Sequence, residues 1–272
     1  MNKIEELKRI IEESKSIVFF GGAGVSTASG IPDFRGAKGI YTYTPEEVVS
    51  HSFFFSHTKE FYDFYWSKLV FKNAEPSECH YFLAELEKRG KLLGVITQNI
   101  DSLHQKAGSK NVIELHGSTN RYTCIKCKEK YELFQLDCFG IPTCKKCGGL
   151  IKPDVILYDE ALSQNDIFKA IEMISKADTL IVGGTSLVVY PAAGLVKYFV
   201  GKCIIEINYD ETYITKDVNL SFKDDINRIL DRKIIKKWYF VCIFLQKILH
   251  KICIGFKMVV NERVIIYGKE KN

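Results

Sequence analysis

Five short runs of unbroken apolar residues, each stopped by small or polar ones, constrain this chain's fold more than any other feature. Residues 17–20 end at Gly21-Gly22, and residues 92–96 end at Thr97-Gln98-Asn99. Residues 112–115 end at His116-Gly117, 179–182 at Gly183-Gly184-Thr185-Ser186, and 203–207 at Asn208. A strand with no apolar/polar alternation is covered on both faces, which is the situation of a parallel sheet under two helical layers. Helical patterns over 78–89, 166–176 and 192–200 separate several of these runs. The alternation predicts an α/β class fold, a doubly wound parallel sheet. Such sheets bind ligands beyond the carboxyl ends of their strands. Asn99, Asp101, His116, Thr185, Ser186 and Asn208 are therefore expected to face one crevice.

Two segments interrupt the alternation. Residues 37–73 are rich in aromatics and read as a helical lid. Residues 122–149 hold four of the nine cysteines. Cys124-x2-Cys127 and Cys144-x2-Cys147 are two thiol pairs at the spacing that closes a tetrahedron around Zn²⁺. With all four positions filled by protein, that zinc is structural. Four buried free cysteines, a CxxC redox pair, or a lysine-bearing ribbon on nucleic acid are the other readings of the same residues. The first leaves the paired spacing unexplained and the second needs only one pair. A stapled structural module is preferred to the third, and no direct nucleic-acid partner is expected.

The N-terminus is a charged amphipathic helix pattern without the apolar core of a signal peptide. No run of 18 apolar residues is present, so no transmembrane segment is expected. Free thiols without an export signal point to the cytoplasm. Apolar residues make up 46% of the 272 and charged ones 26%, enough for a sizeable core. The net charge of +5 says little of the body's partners, because basic residues gather beyond residue 231. In that tail, residues 238–245 are eight apolar residues followed by Gln246 and Lys247, too interrupted to span a bilayer. A docking element, an extension without an evolved role, or a membrane-surface helix are its three readings, the last ranked third.

Gly22-Ala23-Gly24 follows the first run directly, and residues 25–28 can start a helix whose N-terminus favours an anion. The acidic residue about 20 positions on that an ordinary dehydrogenase uses for its ribose is missing. The chain instead turns at Ile31-Pro32 and presents Asp33, Phe34 and Arg35. In this order Gly-Ala-Gly-Val-Ser with Ser-Gly-Ile-Pro-Asp-Phe-Arg, then Thr97-Gln98-Asn99-Ile100-Asp101-Ser102-Leu103-His104, then Glu114-Leu115-His116-Gly117, then the four cysteines, then Gly184-Thr185-Ser186-Leu187 and Ile207-Asn208, resemble the successive signatures of the sirtuins. The resemblance runs from about residue 5 to residue 231.

Sirtuins are NAD-dependent protein deacylases of Rossmann-like fold with a smaller zinc-ribbon and helical domain inserted. The resemblance implies a discontinuous NAD-binding domain of residues 1–36, 74–121 and 150–231. It implies a small domain from the 37–73 lid and the 122–149 ribbon, and leaves 232–272 as an extension. It implies transfer of the acetyl group of an acetyl-lysine protein or peptide to ADP-ribose, with release of nicotinamide. His116 matches the general base, and Asn99 the residue that orders a water or a ribose hydroxyl. Cofactor contacts fall on Gly22, Ala23, Gly24, Thr27, Asp33, Phe34, Arg35, Gln98, Ile100, Asp101, Gly184, Thr185, Ser186, Asn208 and Ile226. The acyl-lysine peptide is expected to add as a strand between Val155-Ile156-Leu157-Tyr158 and Leu187-Val188-Val189, with Ile156, Leu157, Tyr158, Leu187 and Val188 as its contacts. Ser102 and Asp159 stand where glycine is common in the family. Protein ADP-ribosylation, or a catalytically weak NAD- or ADP-ribose-binding zinc protein, are the alternative functions.

Overall fold

A computed structural model describes residues 2–32 and 45–235. The chain divides into two units, 1–231 and 232–272; the fold below is that of the first. Asp33, Phe34, Arg35, the start of the lid and the apolar run at 238–245 lie outside the described residues.

Among the described residues nine strands form two sheets. They are β1 (Ile17–Gly21), β2 (Leu92–Thr97), β3 (Val112–Glu114), β4 (Gly117–Cys124), β5 (Lys130–Glu132), β6 (Ile151–Val155), β7 (Thr179–Gly183), β8 (Cys203–Asn208) and β9 (Leu220–Lys223). The larger sheet has the order β3-β2-β1-β7-β8-β9 and its pairs are parallel. Counted within that sheet alone, this is 3-2-1-4-5-6, the order of dinucleotide-binding folds, with its switch point between β1 and β7. Every residue of β1 and of β7 is buried, as unbroken apolar runs require. Five strands fall where the sequence places them. The sixth, β9, alternates buried and partly exposed positions at the sheet edge and has no unbroken run to announce it.

The helices are α1 (Lys3–Glu13), α2 (Pro45–Val48), α3 (His51–Ser56), α4 (Thr58–Lys68), α5 (Glu78–Lys88), α6 (Leu103–Lys106), α7 (Gln164–Lys176) and α8 (Ile226–Ile229). Asn2 caps α1 and Ser163 caps α7, each side chain accepting a backbone N–H of the first turn. The helix expected over 192–200 is a 3-10 helix, Ala192–Tyr198.

The glycine loop corrects another expectation. Its residues form two 3-10 turns, Ala23–Val25 and Thr27–Ser29, ended by Gly30 at φ 80°. No α-helix starts there. Glycine in the left-handed region and Pro32 stop propagation before one full α-helical turn is complete.

The smaller sheet is antiparallel, β5-β4-β6. It begins at Gly117 and closes at Val155, so it draws residues from both sides of 121/122 and 149/150. Helices α3 and α4 cover it with an aromatic core of Phe54, Phe61, Tyr62, Tyr65 and Tyr122, all fully buried. Phe54 and Phe61 meet edge to face at 4.9 Å, and Phe61 stacks on Tyr65 at 5.6 Å. The polar tips of these rings are paired: Tyr62 Oη donates to the Ile151 carbonyl and Trp66 Nε1 to the Gly140 carbonyl.

Candidate active site and metal centre

The switch point is closed by glycines. Gly24 N donates to Gly184 O at 2.9 Å. A Cβ on Gly24 would lie 2.6 Å from Gly184 Cα, and one on Gly184, at φ 61°, 2.7 Å from Val25 N. The loops after β1 and β7 are thus pressed together backbone to backbone, which only glycine allows.

Beside this contact lies a cavity of about 370 Å³, within the range of small-molecule sites. Its wall brings together Ala23, Gln98, Asn99, Ile100, Asp101, His116, Gly184, Thr185 and Ser186 from the carboxyl ends of four strands or strand-following loops. Ile156, Leu157 and Tyr158 line it from the segment after β6. Gly22 and Gly24 form the loop behind the wall. Thr27 is exposed and turned back on Gly24 O, and Ile226 packs over Gly183. Neither lines the cavity. Leu187 is buried in the main core and Val188 is exposed; Val189 and Tyr190 line the cavity in their place.

Ser26 is the hub that sequence reasoning left out of the site. It is 1% exposed. Its Oγ accepts from Asn99 Nδ2 at 3.0 Å and donates to Asp101 Oδ2 at 2.7 Å. Asp101 Oδ1 also takes the N–H of Leu103, the first residue of α6, at 2.8 Å. Burial raises the Asp101 pKa, and these two donors hold it back. The only earlier hint of Ser26 was its place after Gly-Ala-Gly-Val.

His116 Nδ1 meets the Gln98 carbonyl at 3.0 Å. A carbonyl can only accept, so Nδ1 carries the proton and Nε2 is left as an acceptor. Burial lowers the His116 pKa, opposed by this same bond. Gln98 in turn is fixed by its N–H on Gly21 O at 3.0 Å and its Nε2 on Thr185 Oγ1 at 3.3 Å.

The residues fit a dinucleotide. Asn208, expected to face the same crevice, stands behind the wall rather than on it: Thr185 N donates to its Oδ1 at 2.9 Å, while its Nδ2 is buried with no partner among the described residues. A buried amide donor left unpaired at a strand end is a place for a ligand oxygen. The backbone around the cavity also has open groups. Tyr158 N donates to Val49 O and Tyr158 O accepts from His51 N; Leu157 N and O are both taken by Glu160; Ile156 N donates to His116 O. By contrast Asp159, Ala161 and Val188 have no backbone partner among the described residues.

The four-cysteine group is positioned to bind a zinc ion. The Sγ atoms of Cys124, Cys127, Cys144 and Cys147 lie within 4.8 Å of one another. Two pairs, Cys124 with Cys147 and Cys127 with Cys144, are 3.5 Å apart, near the ~3.8 Å edge of a tetrahedron with Zn–S of about 2.3 Å. The two knuckles repeat one geometry. Lys128 at φ 62° donates N–H to Cys124 O at 3.0 Å, and Gly148 at φ 66° donates to Cys144 O at 2.8 Å. Tyr131 Oη lies 3.2 Å from Cys144 Sγ, and its hydrogen bond draws that thiol down to about 6, toward the thiolate a metal needs.

Fold and site together define a nucleotide-binding α/β protein carrying a four-cysteine module. The chain belongs to the Sir2 family, whose model matches residues 22–191. An NAD-dependent protein deacetylase of Clostridium perfringens is 54% identical over 241 residues, 86% of this chain and 99% of that protein. One of Clostridium acetobutylicum is 52% identical over 239 residues, 85% and 98% of the two chains. Among solved structures, a Sir2 complex with p53 peptide and NAD⁺ has a TM-score of 0.78 at 38% identity, covering 87% of this chain and 99% of that one.

Proposed function

We propose that this chain is an NAD-dependent protein lysine deacetylase, working in the cytoplasm on acetyl-lysine proteins. The observation that carries the reading is the convergence of Asn99, Asp101 and an Nδ1-protonated His116 on one cavity beside the glycine contact of β1 and β7. NAD⁺, when bound, supplies the ribose carbon that nicotinamide leaves and the ADP-ribose that receives the acetyl group.

The chain's own residues supply the rest. The Ala23 backbone on the cavity wall and the hydroxyls of Thr185 and Ser186 are the donors for phosphate oxygens. Asn208 Nδ2 is the donor for a ribose oxygen. Asp101 and the Ile100 backbone hold a carboxamide, and the Ser26 bond keeps the Asp101 carboxylate turned to receive it. His116 Nε2 takes a proton from a hydroxyl in the cavity, while the Gln98 carbonyl stabilises the resulting imidazolium through Nδ1. Asn99 Nδ2 orders a hydroxyl or a water next to it. The acetyl-lysine peptide lies extended between the backbone of Asp159 and Ala161 on one side and that of Val188 on the other, whose open N–H and C=O groups accept a strand.

The test follows nicotinamide. Purified protein with NAD⁺ releases it when an acetyl-lysine peptide is present, and O-acetyl-ADP-ribose accumulates with it. Label from NAD⁺ appearing on protein, with the peptide still acetylated, overturns this in favour of ADP-ribosylation. Tight NAD⁺ binding without turnover overturns it in favour of a binding protein.

A further inference from the structure

Asp159 is an acid in a backbone conformation that disfavours it. Its φ is 71°, in the left-handed region where an L side chain is crowded and glycine is not. It is exposed and lines the cavity, one residue beyond the backbone groups that Glu160 and the 49–51 segment already occupy. Its own N–H and C=O have no partner, and its carboxylate makes no hydrogen bond or ion pair among the described residues.

Among the described residues, the other titratable side chains on this wall are Glu46, Lys68, Asp101, Glu160 and His116. Asp101 is bonded to Ser26 and Leu103. Glu160 is held by Lys152 at 3.0 Å and by the Leu157 N–H. Among the described lining residues, two exposed acids, Asp159 and Glu46, therefore stand against one lysine, Lys68. Next to Asp159 are the exposed rings of Tyr158 and, across the cavity wall, Tyr190, 39% and 61% exposed. Aromatic faces beside a carboxylate favour an arriving cation and do nothing for an anion.

We infer that Asp159 selects acetyl-lysine substrates carrying an arginine or lysine close to the modified residue. The inference rests on the deacetylase reading and names the peptide class for the same cavity. The open backbone of Asp159 sets the peptide alongside it, so the flanking side chain is brought within reach of the carboxylate by the main-chain pairing itself.

The experiment uses the full chain and a peptide set, identical except for Arg, Ala or Glu placed in turn at each of the two positions on either side of acetyl-lysine. Nicotinamide release gives kcat/KM at low and high salt. At one position at least, the Arg-to-Glu ratio should reach roughly three- to fivefold, carried by KM, and shrink at high salt. In Asp159→Asn the ratio should fall to about one. Asp159→Gly, which also frees the backbone, serves as the second variant and should give the same loss. The ratio is independent of how much overall activity either variant keeps. Turnover with a flat ratio in the unmodified protein overturns the inference and leaves deacetylation standing. A ratio that survives both variants, or that disappears only in Glu46→Gln, overturns the assignment to Asp159. Absence of turnover with every peptide overturns the deacetylase reading itself.

Discussion

The bond from His116 Nδ1 to the Gln98 carbonyl decides which nitrogen is available. Because burial lowers its pKa from 6.5, the neutral form needed in a base predominates at neutral pH. The acid limb of kcat/KM should therefore begin below pH 6.5, and a pH profile of nicotinamide release checks it. His116→Ala should reduce turnover about 10²–10⁴-fold, the usual share of a general base, with thermal stability and zinc content unchanged. Ser26→Ala should act differently. It strips the Asn99 amide of its acceptor and the Asp101 carboxylate of a donor, a cost of about 1–3 kcal/mol for buried groups left unmade. Its expected signature is a raised KM for NAD⁺ and weaker inhibition by added nicotinamide, with the peptide KM little changed. His116, Asn99 and Asp101 were legible because each closes an apolar run. Ser26 was not, since nothing in a serine's neighbours in sequence shows that an amide and a carboxylate will converge on it from residues 99 and 101.

At the scale of elements, α5 braces the glycine loop, and α6 packs on α5. Ser77 Oγ donates to the Val25 carbonyl at 2.9 Å, and His80 on α5 accepts the Ser77 N–H. His80 and His104, both buried, face each other with ring centroids 4.5 Å apart. Burial depresses His80 to about 3, and burial together with His80 depresses His104. The unfolded chain takes up these protons near 6.5, so the native state alone refuses them. Stability should be complete above 6.5 and fall as pH drops toward 3, with a slope of up to about 1.4 kcal/mol per pH unit for each histidine. Urea melts across that range test it, and His80→Gln should flatten part of the slope. The same scale explains what the sequence disclosed. Strands buried on both faces announce themselves, as β1 and β7 do. The edge strand β9 and the polar β4 (Gly-Ser-Thr-Asn-Arg-Tyr-Thr-Cys) do not, because partners distant in the chain make them strands. The glycine loop looked like a helix start because its short run of Val-Ser-Thr-Ala has no local signal against one until Gly30.

For the whole molecule, the two sheets meet at the cavity. Segment β6 belongs to the small sheet, yet the residues directly after it line the site, and Ile156 N is bonded to His116 O. No cysteine of the metal group lines the cavity. Removing zinc should nonetheless abolish turnover, because the aromatic core of α3 and α4 includes Cys124 and Cys144 among its members. Chelation of the purified protein, or Cys144→Ala, is expected to lower the thermal midpoint and the activity together, and re-addition of zinc to the chelated protein to restore both. Activity that persists in metal-free protein would sink this coupling. The four-cysteine group was readable from its paired spacing. The continuity of β4 and β6 with the cavity-lining segments was not, since it depends on an antiparallel register that no local pattern encodes.

The matched knuckles have one last consequence. Lys128 and Gly148 close each turn with a hydrogen bond to its own first cysteine, and the Ile125 N–H on Leu150 O and Tyr131 Oη beside Cys144 Sγ hold the two halves of the clasp to each other. Chain inserted near Phe139, whose ring is 88% exposed, would only lengthen the tether between two ready-made jaws. Doubling such a tether costs about 0.6 kcal/mol, which leaves this corner of the protein free to acquire new sequence while the clasp still shuts.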